Sequence, residues 1–95
     1  MLELQPGQLV RSLAGRDKGK HYLVLRVIDH KYVYLVDGRS RPVARPKRKN
    51  KVHLQCYERR AAVGEIFDPE RLSDSQVIEF LKQLEPQTGD PEEEV

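Results

Sequence analysis

The chain predicts a mainly β fold, a small barrel followed by one C-terminal helix, and three observations carry that prediction. Short apolar and β-branched runs recur through the first half, separated by Gly, Asp and Pro turn signals. A capping-box sequence then opens a single stretch of helical periodicity. The 95 residues allow one small domain with a modest core and an appendage at most.

Residues 8–13 are the first expected strand, with Leu9, Val10 and Leu13 as its apolar positions. Residues 14–20 follow as a loop in which Gly15 and Gly19 stand among Arg16, Lys18 and Lys20. Glycine reaches backbone angles that strain other residues and lets a foreign backbone approach closely. Residues 21–29 (HYLVLRVID) and 31–36 (KYVYLV) are rich in strand formers, with Asp29-His30-Lys31 short enough for a hairpin turn. Both runs are almost continuously apolar, a pattern open to a strongly bent barrel in which one strand serves two sheets. Asp37-Gly38 is a turn signal. Residues 42–45 are the candidate fourth strand, confined to an edge by their prolines, and residues 52–54 the candidate closing strand. Five short strands of this kind point to an SH3-like or OB-like barrel.

Past Tyr57 the character changes. Residues 62–67 form a candidate further strand, ended by Asp68-Pro69. Ser73-Asp74-Ser75-Gln76 then fits the capping box, with Leu72 and Val77 placed as a hydrophobic staple. Val77, Ile78, Leu81 and Leu84 follow helical spacing, and Pro86 stops the helix. About three turns are marginal alone in water, so the apolar stripe is expected to dock on the barrel. The expected organisation is a barrel over residues 1–57, a connector over 58–72, a helix over 73–85 and a disordered acidic tail over 86–95.

The formal net charge of +2 conceals a division. Residues 1–60 hold 15 Lys and Arg against 5 Asp and Glu, whereas residues 61–95 hold 2 against 10. Such polarity points to a nucleic-acid-binding body with an acidic appendage. The crowding is greatest in residues 39–51 (RSRPVARPKRKNK), with seven cations and no acid. Like charges this close are tolerable when solvated or opposite an anion. Forked guanidinium groups suit bidentate phosphate contact, and lysines act as point charges. One cysteine, Cys56, rules out a disulfide framework within the chain and fits a reducing cytoplasm. No apolar run approaches the ~20 residues of a membrane span, so no membrane partner is expected.

Residues 7–37 resemble a KOW motif, with Gly19 at the position of that motif's glycine. Ala14-Gly15-Arg16, Gly19-Lys20, Ile28-Asp29, residues 33–36, Lys47-Arg48-Lys49-Asn50 and His53-Leu54 are similar to the archaeal and eukaryotic large-subunit ribosomal proteins of the fourteen-e type. The late helix SDSQVIEFLKQL is a weaker match to the terminal helix of archaeal members. The resemblance covers roughly residues 5–85 and includes free-standing bacterial relatives, whereas the long 56–72 connection and the acidic tail depart from it. It implies a small SH3-like (KOW) β-barrel that binds ribosomal or similarly structured RNA, with no cofactor.

The expected RNA-binding residues are therefore Gly15, Arg16, Lys18, Gly19 and Lys20 of the glycine loop, with Arg39, Arg41, Arg45, Lys47, Arg48, Lys49 and Lys51 of the basic run. The bland alternatives for PKRKNK are a nuclear import signal or plain solvated charge. A protein-docking KOW module of the transcription-elongation type stands as the alternative function. Tyr32 and Tyr34 share a strand face and are candidates for base stacking, or for a cage reading modified lysine, although core packing is the commoner fate. His21, His30 and His53 lack ligands at metal spacing, and no nucleophile–base set or phosphate-cradling Walker loop is present. The expectation is a cytoplasmic, non-enzymatic RNA-binding protein, a monomer when free, associated with the large ribosomal subunit. The acidic tail has one functional reading, transient competition with weakly bound RNA.

Overall fold

The computed structural model describes residues 4–60 and 70–84. Strands β1 (Gln8–Ser12), β2 (His21–Val27), β3 (Tyr32–Val36), β4 (Lys47–Asn50) and β5 (Leu54–Arg60) precede the helix α1 (Asp74–Leu84). The strands make one antiparallel sheet in the order β4-β3-β2-β1-β5, curled into a small SH3-like half-barrel. The expected fold class is the observed one. Bulges between Gln8 and Val10 and between Val24 and Arg26 give the sheet its bend.

The continuous apolar runs are explained by burial on both faces of the sheet. Val10, Tyr22, Val24, Val33 and Leu35 fill the concave side. Leu9, Leu23, Leu25 and Val36 face the other way, against Leu72, Val77 and Leu81 at and before α1. The register agrees, since Leu9 pairs with Leu23 and Leu23 with Val36, while Val10 pairs with Tyr22 and Val24 with Leu35. Helix α1 takes the place of a second sheet. Each fully buried Leu or Val here contributes roughly 1.5–3 kcal/mol, so the helix and the outer face of the sheet stabilise one another.

The capping box forms as the sequence predicts. Ser73 N–H donates to Gln76 Oε1 at 2.9 Å, and Gln76 N–H donates to Ser73 Oγ at 3.2 Å. Leu72 and Val77 are both buried in one cluster, as a hydrophobic staple requires.

Two elements lie elsewhere than expected. Residues 42–45 are a turn closed by Arg45 N–H donating to Pro42 O at 2.8 Å, and the fourth strand is β4, the basic run itself. Residues 51–53 form a 3-10 helix, with Val52 N–H donating to Asn50 Oδ1 at 3.0 Å, and β5 begins at Leu54. Leu13, placed in the first strand by its apolar character, lies beyond β1 and is 44% exposed. The candidate strand at 62–67 and the acidic tail at 86–95 lie outside the described residues. Among the described residues no helix is long and apolar enough to cross a membrane.

Candidate nucleic-acid interface

The glycine loop is organised from within by Asp17, a residue that sequence reasoning passed over. Gly15 and Gly19 have φ angles of 87° and 93°, in the left-handed region, and let the loop close in seven residues. Gly19 N–H donates to Ser12 O at 2.8 Å, and Lys20 N–H to Asp17 O at 2.9 Å. That closure turns the Asp17 carboxylate inward. Ser12 Oγ donates to its Oδ1 at 2.7 Å and the Tyr22 hydroxyl to its Oδ2 at 2.9 Å.

Two lysines of the basic run meet the same carboxylate. Lys49 Nζ lies 3.0 Å from Oδ1 and Lys47 Nζ 3.0 Å from Oδ2. Strand alternation explains why. Side chains two apart on a strand share a face, and β4 pairs Lys49 with Val33 and Lys47 with Leu35, the positions that fill the concave core. The Lys49 side chain is 11% exposed and that of Lys47 23%. Lysines so placed need an acid, and Asp17 supplies it. Lys49 Nζ also donates to Ala14 O at 2.9 Å, tying β4 to the glycine loop.

Burial by itself would raise the Asp17 pKa. The hydrogen bonds from Ser12, Lys47, Lys49 and Tyr22 overcome it and hold the carboxyl far below the usual range. The Tyr22 hydroxyl moves the other way. Burial, then its hydrogen bond to Asp17 and the nearby negative charge, push it well above its ordinary value.

Arg48, between the two lysines, points to the opposite face. Its guanidinium lies over the Tyr32 ring, 4.8 Å from the centroid. Tyr34 packs against the cluster beneath α1. One face of Tyr32 is thus already covered, and these two rings do not form an open aromatic cage. Tyr22 is a core residue with its hydroxyl on Asp17.

The second loop, residues 37–41, is built on Asp37. Its Oδ1 accepts the Arg39 and Arg41 N–H groups, both at 2.8 Å, and its Oδ2 accepts Ser40 Oγ at 2.9 Å. Burial opposes the Asp37 charge, but these hydrogen bonds and Lys20 outweigh it and lower the pKa. Lys20 braces the two loops, with Nζ 3.0 Å from Ser40 Oγ and 3.4 Å from Asp37 Oδ2.

Helix α1 fixes where the next turn stands. Val43 N–H donates to Asp74 Oδ1 at 2.7 Å. Gly38, at φ 79°, sits so close that a Cβ there would lie 2.7 Å from Asp74 O and 2.9 Å from Ile78 Cγ1. Gly38 read from sequence as a turn residue alone. It is also the seat of the helix.

The result is a cleft of about 370 Å³ in which Arg16, Lys20, Arg41 and Lys47 rim a floor of Asp17 and Tyr22. Four cations from three segments, the glycine loop, the 37–41 loop and β4, line one cleft with Asp17, whose charge is already engaged by Lys47 and Lys49. Arg39, Arg45 and Lys18 are exposed on the surrounding loops. Among the described residues Arg16, Lys18, Arg39, Arg41 and Arg45 have no acidic partner. Lys51 lies in the 3-10 helix, beyond the cleft, where its N–H donates to Lys31 O at 2.8 Å. The expected residues therefore fall into three groups: the cleft and its loops, the Asp17-bound lysines, and the outward-facing Arg48 with Lys51.

His30 and His53 are exposed, and His21 Nε2 lies 3.1 Å from the Tyr57 hydroxyl. Among the described residues no group of three or more His, Cys, Asp or Glu could hold a metal ion. The chain matches no protein-family model and no curated protein sequence.

Proposed function

We propose that this protein binds structured RNA, with ribosomal RNA as the expected target, by phosphate contacts made from the glycine loop and the 37–46 loops. The observation that carries this reading is the convergence of Arg16, Lys20, Arg41 and Lys47 on one cleft whose acid is already neutralised. Phosphates supply most of the affinity of such a surface. Double-stranded RNA presents phosphates and ribose hydroxyls at its accessible groove, so shape decides the site more than base identity. The protein acts by binding, as a KOW-type module of the cytoplasm associated with the large ribosomal subunit.

Affinity for an RNA hairpin, measured from 50 to 300 mM salt, tests the proposal. Phosphate contacts from the five loop cations without an acidic partner among the described residues, Arg16, Lys18, Arg39, Arg41 and Arg45, give a slope of about −4 for log affinity against log salt. The double variant Arg16→Ala, Arg41→Ala shrinks that slope by about 1.5. A wild-type slope near zero excludes the reading, because a protein-docking surface that relies on apolar burial has little salt dependence.

A further inference from the structure

Beside the cationic cleft runs a second groove, of about 290 Å³, between the end of the glycine loop and the side of α1 that carries Ile78, Leu81 and Lys82. Its composition differs. Ile78 and Leu81 give it an apolar side, while Lys20, Arg39 and Lys82 rim it with positive charge. Asp37 is its one acid among the described residues, and the Asp37 carboxylate is engaged by the Arg39 and Arg41 N–H groups, by Ser40 and by Lys20. Gly19 keeps one wall low, since a Cβ there would meet nothing within 4 Å. The groove exists because Gly38 lets α1 approach the loops so closely. Lys20 lines both the groove and the cleft, so the two are neighbours along one cationic track.

We infer that this groove holds an unpaired nucleotide of the bound RNA, its base against Ile78 and Leu81 and its phosphates between Lys20, Arg39 and Lys82. The inference rests on the RNA reading above and adds to it the form of RNA preferred. Each feature of the groove answers a part of a nucleotide. A base offers a flat apolar face that a duplex hides and a bulge or loop exposes. An apolar wall flanked by cations suits that base together with its backbone, as in grooves that follow single strands. At about 290 Å³ the groove sits at the lower end of small-ligand pockets, roughly 300–1,000 Å³, the scale of one nucleotide. Continuity through Lys20 places the groove where a strand leaving the cleft would pass.

Two RNA hairpins test this, identical except that one carries a single bulged uridine. The wild-type protein binds the bulged hairpin about tenfold more tightly, the effect of burying about 55 Å² of apolar surface. Ile78→Ser removes that preference and leaves affinity for the paired hairpin unchanged, whereas Ile78→Leu retains it. A thermal melt of each variant accompanies the binding. Should Ile78→Ser fail to fold, the wild-type methyl spectrum answers in its place. The chain has three isoleucines, Ile28, Ile66 and Ile78, and the Ile78 signal shifts with the bulged hairpin and stays still with the paired one. Equal, salt-dependent affinity for the two hairpins overturns the inference alone. Absence of binding to either defeats the RNA reading and the inference with it.

Discussion

Lys47 and Lys49 stand within ten residues of Arg39, Arg41 and Arg45, carry the same charge, and have a different fate. The lysines lie on β4, where alternation turns both toward the concave core and onto Asp17. The arginines lie on loops, and among the described residues none of them has an acidic partner. A basic run is therefore not a uniform patch. Two of its seven cations are internal, holding the glycine loop in place, while the three loop arginines are left for the proposed ligand. What separates these lysines from these arginines is local structure: β4 turns Lys47 and Lys49 onto Asp17, whereas the loops that carry Arg39, Arg41 and Arg45 bring them to no acid among the described residues.

The sharpest way to break that comparison is to remove the counter-ion. Asp17→Ala leaves Lys47 and Lys49 beside the core without a partner. Breaking a buried pair in this way costs about 3–5 kcal/mol, read by urea unfolding at neutral pH. The pH dependence has a definite sign. The folded-state pKa of Asp17 lies below the ordinary value of 3.8, so the native state holds its proton less tightly than the unfolded chain does. The resulting stability is fully present above that ordinary value and is lost as pH falls toward the folded one. Asp37 and Asp29 are lowered too and add the same trend. Asp17→Asn should flatten the acid limb of the stability curve without abolishing it.

Two glycines sharpen the contrast between positions that hold the scaffold and positions that face outward. Gly38 and Gly19 both have positive φ, but a Cβ at Gly38 collides with Asp74 O whereas one at Gly19 meets nothing within 4 Å. Gly38→Ala should therefore reach the top of the ~1–3 kcal/mol range for backbone strain and displace the helix from the 42–45 turn. Gly19→Ala should stay near the bottom of that range. Thermal unfolding of the two variants side by side measures the difference. Equal destabilisation would mean that helix docking adds nothing at Gly38.

Much of this architecture was legible in the sequence, for reasons that can be named. Strands β2 and β3 stood out because burial on both faces demands continuous apolar runs. The start of α1 was legible because its cap is a local pattern, Ser73 to Gln76, that needs no tertiary partner. Strand β4 was not. KRKN contains no strand former, and it pairs with β3 because the sheet edge supplies backbone partners and Asp17 supplies charge. Asp17 itself looked like one more charged loop residue. Its signal was faint, a lone acid in a cationic loop together with a Lys-x-Lys spacing thirty residues on. The second role of Gly38 could not be read locally, because the helix it admits lies far along the chain.

The central claim, that the loop arginines contact phosphate and the β4 lysine holds the scaffold, meets its most direct test in salt dependence. Affinity for one RNA hairpin is measured across a salt series for three folded proteins: wild type, the triple variant Arg39→Ala, Arg41→Ala, Arg45→Ala, and Lys49→Gln. Loss of three phosphate contacts should reduce the slope of log affinity against log salt by about 2–3 in the triple variant. Lys49→Gln should lower the melting temperature and leave the slope unchanged. A slope that falls by about 0.7–0.9 in Lys49→Gln, or stays constant in the triple variant, would contradict the account.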